Sequence, residues 1–311
     1  MGRSLKPIMR NYQDENDFWH IRNFLQELLV LNGLREKSWH VARLDYWRWH
    51  GLENCHSNDP LEQVTFLWET PDGKIAAVLN PEEFGQVFLQ IHPAFKTEKL
   101  EEEMIASAEK YLAVTHADKQ EISIWVDSKD TLRLDLLQGR GYIKGRWTER
   151  QWRRDLDMPI PEVPVVAGYT IRSLGDEREL PARSWASWRG FHPGEPDEKY
   201  QGWEWYRNIQ RCPLYRRDLD MVAAIGDVIA ACATIWYDDT TRTAYIEPVV
   251  TVPEHQRRGL ARAAITEGLR RLQRMGARQV FVGGLEPGPD ALYSSVLSPA
   301  YDCLEQWIKE W

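Results

Sequence analysis

Between residues 250 and 265 the chain reads VTVPEHQRRGLARAAI: a β-branched run stops at Pro253, one glycine sits among amide and guanidinium side chains, and an Ala/Leu/Arg helix pattern begins. Where a strand hands over to a helix, the first helical N–H groups have no intrahelical acceptor and the helix dipole is positive. Such a turn attracts anions. Gly259 leaves the amides open to a phosphate that a side chain would keep away, and Gln256, Arg257 and Arg258 add donors and charge. No G-x-G-x-x-G follows a strand and no G-x-x-x-x-G-K-[ST] occurs, which disfavours a dinucleotide fold and a P-loop. Cys55, Cys212, Cys232 and Cys303 lie far apart without a C-x-x-C pair, so neither a metal site nor a disulfide framework is expected. Cys232 sits in an apolar run with no nearby base and is not read as an acyl-carrying nucleophile.

The turn needs elements to hold it. Strands are expected at LDMVAAI, VIAACATIWY and TAYIEPVVTV, separated by turn signals at Gly226-Asp227 and Asp238 onward, which is a meander. A helix from about Arg258 to Met275 places Leu260, Ala264, Ile265, Leu269, Leu272 and Met275 on one face and ends at Gly276. A further strand at QVFVG precedes a short helix over Asp290 to Val296. Upstream, a strand at Tyr169 to Arg172 leads to a helix near Glu177 to Trp188 and a long aromatic-charged loop.

The proline-rich stretch MPIPEVPVV, residues 158–166, resists helix and central strand and reads as a linker. Three segments before it match three after it in the same order. IMRNYQDEND from Ile8 resembles TIRSLGDERE from Thr170, HPAFKTEKLEEEMI from His92 lies over VPEHQRRGLARAAI, and DLLQGRGYIKGRWTERQW from Asp135 lies over DALYSSVLSPAYDCLEQW. A duplicated domain leaves such a record. The expected architecture is mixed α/β, a largely antiparallel sheet flanked by helices, in two tandem domains at residues 1–157 and 167–311.

Residues 256–261, QRRGLA, fit the Q/R-x-x-G-x-G/A signature, and with the strand before and the amphipathic helix after it the second half resembles the GNAT N-acetyltransferase superfamily. The resemblance extends more weakly over the first half, in a tandem organisation like that of mycothiol synthase. It implies that this turn cradles the pyrophosphate of acetyl-CoA, with Val250, Val252, Gln256, Arg257, Arg258, Gly259, Leu260 and Ala261 as cofactor-binding residues. ALYSSV resembles the family's C-terminal L-Y-x-x-x-G-F element, which implies Tyr293 as the acid that protonates the departing thiolate. Glu247 stands where a general base is often found, and the Val250 N–H would polarise the thioester carbonyl if the strand carries the family's bulge. Two departures are Leu297-Ser298 in place of Gly-Phe, and Glu286 where many members carry asparagine.

In the first half the same alignment puts Lys99 at the place of Gly259, Glu98 at that of Arg258, and Gln138 at that of Tyr293. Glu101, Glu102 and Glu103 follow and would repel a pyrophosphate. That copy is expected to keep the fold without the acetyl-CoA loop.

The implied function is direct acetyl transfer from acetyl-CoA to an amine of a small molecule or peptide, in the C-terminal domain and without a metal. The rival from another class is a non-catalytic acyl-CoA sensor or scaffold. A net charge of −8 argues against a nucleic-acid partner and leans toward a cationic acceptor. The absence of a long apolar run or leader pattern points to a cytoplasmic protein off the membrane, and a homodimer is left open.

Overall fold

The computed structural model describes residues 6–285 and 289–311. Two compact units emerge, Met1–Gln151 with Asp302–Trp311, and Trp152–Tyr301.

In the first unit β1 (Ile8–Asn11) leads into α1 (Glu15–Leu31), whose N-cap Asp14 accepts from the Asn16 amide and whose buried Phe18, Ile21, Leu25 and Leu28 share one face. The short α2 (Val41–Tyr46) and α3 (Leu61–Val64) precede the meander β2 (Phe66–Glu69), β3 (Ile75–Glu83) and β4 (Gln86–Ile91). Then come α4 (Glu98–Tyr111), β5 (Val114–His116), β6 (Lys119–Asp127), α5 (Thr131–Gly139) and β7 (Ile143–Asp155). The strand order is β1-β2-β3-β4-β6-β13-β7, with β5 hairpinned on β6, where β13 is Tyr301–Glu310.

The second unit repeats the pattern as β8 (Thr170–Ser173), α6 (Leu180–Phe191), α7 (Tyr206–Gln210), β9 (Asp220–Ile225), β10 (Val228–Asp238) and β11 (Thr243–Thr251). It continues as α8 (Leu260–Arg274), β12 (Gln279–Leu285) and α9 (Asp290–Val296). Its sheet runs β8-β9-β10-β11-β12, antiparallel except for the β11–β12 pair. Two glycines set how closely the helices lie on it: a Cβ at Gly268 would meet Ile235 Cδ1 at 2.1 Å, and one at Gly190 would meet Val250 Cγ2 at 1.8 Å. So α8 covers one face of the sheet and the end of α6 presses on the other beside the last residues of β11.

The unit boundaries differ from the sequence expectation. The division falls at Gln151/Trp152, ahead of residues 158–166, and β13 joins the first unit instead of closing a 167–311 domain. Its backbone pairs antiparallel with β6 from Leu304↔Asp127 to Glu310↔Glu121, which gives partners to a stretch of strand that would otherwise lie at an edge.

Candidate active site

In both units one parallel pair of strands holds together briefly and then parts. β11 and β12 register only at Thr243↔Gln279, Ala244↔Val280 and Tyr245↔Phe281. Beyond Tyr245, β11 carries the bulge that the family resemblance calls for: its pairing with β10 jumps from Ile235↔Ile246 to Ala233↔Val249, placing the extra residue at Glu247–Pro248. Trp236 Nε1 donates to the Glu247 carbonyl at 2.5 Å and pins the bulge from β10.

The register corrects one expectation. Val252 N–H donates to the Ala230 carbonyl at 2.9 Å, and Val250 lies opposite Cys232 two residues earlier on the same alternation. The amides of Val250 and Val252 therefore face β10. Val249 and Thr251 turn their backbone groups to the other edge, from which β12 has parted, and the Thr251 carbonyl there accepts from Gln256 Nε2 at 3.2 Å. The bulge shifts the alternation by one residue, which a sequence pattern of period two does not reveal.

After β11 a single 3-10 turn, Pro253–His255, leads to Arg257 at φ 62° and Gly259 at φ 74°. Gly259 is the N-cap of α8, in left-handed conformation and with no side-chain cap. The position where its Cβ would project has no atom within 4 Å. The amides of Leu260, Ala261 and Arg262 thus open a fifteen-residue helix without intrahelical acceptors, and Gln256, Arg257 and Gly259 beside them are exposed. Leu260 instead anchors the turn, buried among Tyr169, Ala223 and Ala231. The cradle suits a pyrophosphate. Arg258 is less available than expected, since its guanidinium donates to Tyr169 Oη at 3.0 Å and to the Glu254 carbonyl at 3.4 Å, while that hydroxyl also meets His255 Nδ1 at 2.7 Å.

Tyr293, on α9, is buried against Trp152 with ring centroids 5.3 Å apart, and its ring passes the backbone of Gly284 on β12. Burial, with the Glu247 charge adding to it, pushes the phenol well above its ordinary pKa. The hydroxyl stays protonated at neutral pH. Leu297 is buried in the core of the second unit at the end of α9, whereas Glu286 lies outside the described residues. Cys232 is fully buried, and burial pushes its thiol up to about 12, which removes it as a nucleophile at neutral pH.

Sequence reading missed a buried polar cluster behind this strand. Arg183 of α6 donates through Nε to Asp220 Oδ1 at 3.0 Å and through Nη2 to Thr234 at 2.8 Å. The hydroxyls of Tyr206 and Tyr215 both donate to Asp220 Oδ2. Arg183 and Asp220 are wholly inaccessible to solvent. Neither has a sequence signal, because an arginine on an amphipathic helix reads as a solvated face.

The corresponding turn of the first unit is built differently. α4 is capped by Thr97, whose hydroxyl accepts from the Leu100 amide at 3.3 Å, so a side chain takes the place of an anion. The acidic run acts otherwise than expected. Glu101 is fully buried and paired with Arg133 at 2.7 Å, and Glu103 accepts from Trp68 Nε1 at 2.9 Å, leaving Glu102 exposed. Arg133 reaches between the parting strands β4 and β6 and donates to the Leu89 carbonyl at 3.3 Å, a backbone acceptor that strand divergence leaves open. Lys99 and Gln138 are exposed. Among the described residues no group of three or more His, Cys, Asp or Glu side chains is arranged to hold a metal ion, and no helix is long and apolar enough to cross a membrane.

In the second unit a meander parts from a parallel strand at a bulge and leads into an uncapped glycine turn at a helix start. Residues 180–292 match the model of the acetyltransferase (GNAT) family, so the second unit carries an acetyltransferase (GNAT) domain. Solved structures share the fold over nearly the whole length. A GCN5-related N-acetyltransferase from Sphaerobacter thermophilus superposes with a TM-score of 0.65 at 20% identity, covering 98% of this chain and 95% of that one. A tandem GNAT protein from the clavulanic acid biosynthesis pathway gives 0.65 at 13% identity, covering 98% of each chain. A GNAT-family acetyltransferase from Colwellia psychrerythraea gives 0.57 at 10% identity over 97% of this chain and 100% of that one. No curated protein sequence matches the chain.

Proposed function

We propose that the second unit transfers the acetyl group of acetyl-CoA directly to an amine of a small molecule or peptide, in a ternary complex. The observation that carries this reading is the open, uncapped Gly259 turn at the end of a bulged strand, in the same unit as the buried Tyr293. The pyrophosphate rests on the amides of Leu260 to Arg262, with Arg257 beside it. The Val249 N–H, at the parted edge, replaces Val250 as the donor that polarises the thioester carbonyl. Glu247 accepts the first ammonium proton, directly or through water; the amine nitrogen then bonds to the carbonyl carbon, the C–S bond breaks as Tyr293 protonates the thiolate, and the second proton shed by the nitrogen restores the phenol through solvent.

The acceptor side is suited to a cation. The last turns of α6, held against Val250 through Gly190, carry half-buried Trp185 and Trp188, and Tyr200 meets both rings within 5.5 Å. Aromatic faces of this kind attract alkylammonium groups, in keeping with the net charge of −8.

Calorimetric titration tests the cofactor site. One acetyl-CoA should bind per chain, because the first unit caps the equivalent helix with Thr97 and fills its strand gap with Arg133. Gly259→Asp puts a side chain and a negative charge into the cradle and strains a left-handed residue, so affinity should fall at least about tenfold, or ~1.4 kcal/mol, with the fold retained and only a small drop in melting temperature. Two equivalent sites, or undiminished binding by the variant, would sink the assignment. Release of free thiol across an amine panel then identifies the acceptor and separates an enzyme from a sensor.

A further inference from the structure

The two units carry their positive charge on different side chains. Residues 152–301 hold eighteen arginines and one lysine, Lys199, whereas the rest of the chain holds ten of each. The base composition of a gene acts on both units alike and does not divide them in this way. Chemistry does. An arginine keeps its guanidinium protonated and is no nucleophile, while a lysine presents a primary amine on a flexible four-carbon stem. In a unit that transfers acetyl groups to amines, a lysine within reach of the site competes with the acceptor, and an arginine holds the same charge without competing.

The single lysine stands on the acceptor side. It closes the 3-10 turn Asp197–Lys199, and the next residue, Tyr200, meets the rings of Trp185 and Trp188 and donates from its hydroxyl to Ser184 Oγ at 2.8 Å. The same loop is tied to the turn that follows β11. Arg189 of α6 donates through Nη1 to the Glu195 carbonyl at 3.1 Å, and its Nη2 lies 3.3 Å from Glu254 Oε1, in the turn ahead of Gly259. The backbone beside Lys199 is thus held toward the cofactor turn while its side chain stays loose. Lys199 Nζ pairs with Glu195 Oε2 at 3.2 Å, four residues away on the surface, and exposed pairs of this kind are weak. An amine tethered so close to a site has an effective concentration on the order of millimolar, whatever the concentration of free acceptor.

We propose that Lys199 is a self-acetylation site of the second unit. The step is the transfer described above with Nζ as the nucleophile: the ammonium sheds a proton, the N–C bond forms and the C–S bond breaks. Of the two protons lost by the nitrogen, one ends on the CoA thiol and the other in solvent, so a lysine ammonium and acetyl-CoA give a neutral acetamide, CoA and one proton. The inference rests on the acetyl-transfer reading of the second unit.

The full chain is incubated with acetyl-CoA, below its wild-type Kd and without added amine, and acetylation of each lysine is followed by peptide mass spectrometry. Lys119 and Lys129 are internal controls: their side chains are 70% and 73% exposed against 62% for Lys199, so reaction with acetyl-CoA free in solution does not favour Lys199 over them. Lys199 should be acetylated at least tenfold faster than either, and in Gly259→Asp that excess should fall at least tenfold while the controls react as before. Equal rates at the three lysines, or an excess at Lys199 that Gly259→Asp leaves intact, would overturn the proposal. Thiol release with an amine panel keeps the two readings apart. Turnover of a panel amine without the Lys199 excess overturns self-acetylation and leaves transfer to free amines standing, whereas neither thiol release nor labelling removes both.

Discussion

Tyr293→Phe should lower kcat roughly 10²-fold, the range of a lost acid–base group, while acetyl-CoA affinity stays within about twofold. The ring fills the space beside Trp152 and Gly284, and phenylalanine preserves that packing, so the change isolates the hydroxyl. Burial and the Glu247 charge raise the phenol's pKa, so its protonated form persists through the range in which an ordinary tyrosine ionises, near pH 10. Wild-type turnover should therefore show no alkaline fall from Tyr293 below about pH 10. An unchanged kcat in the variant would mean that solvent protonates the thiolate.

Arg183→Met should destabilise the second unit by about 3–5 kcal/mol, because Asp220 would remain buried without its cationic partner. Burial opposes the guanidinium charge, and Asp220, with the groups around it, outweighs that penalty and raises the Arg183 pKa well above its ordinary value. Tyr206, Tyr215 and Thr234 would still donate to the carboxylate, but none carries a compensating charge. Urea unfolding followed by tryptophan fluorescence measures the loss, with the transitions of the two units fitted separately. The double change Arg183→Met with Asp220→Asn should recover part of it, since both charges leave together. A single variant within about 1 kcal/mol of the parent would show that water reaches the carboxylate once the arginine is gone.

The cluster ties the two halves of the proposed site. Asp220 begins β9, Thr234 and Trp236 lie on β10, and Tyr215 packs against Trp236, whose indole holds the Glu247 carbonyl. Rigidity at the bulge thus comes from a polar core beneath it.

Local chemistry was legible from the sequence. The turn QRRGLA, the strand ending before it and the apolar face of α8 obey rules of a few residues' range: glycine where φ is positive, periodicity of three and four, proline at the boundary. The helix expected from about Arg258 to Met275 spans Leu260–Arg274, and Gly276 follows it at φ 77°. The mixed fold and its repetition were also readable, because each copy repeats the same strand and helix signals. Tertiary structure decided the rest. Alternation along β11 was inverted by a bulge at Glu247–Pro248, which moved the edge-facing amide from Val250 to Val249. Glu101 reads as surface charge in a run of acids, yet Arg133 from a distant helix draws it inside. β13 carries a strand pattern after α9, but a pattern names no partner, and its pairing with β6 places it in the first unit. Propensity and periodicity act on neighbours in the chain, whereas strand pairing, buried ion pairs and the shift at a bulge depend on groups that only the folded chain brings within hydrogen-bonding distance.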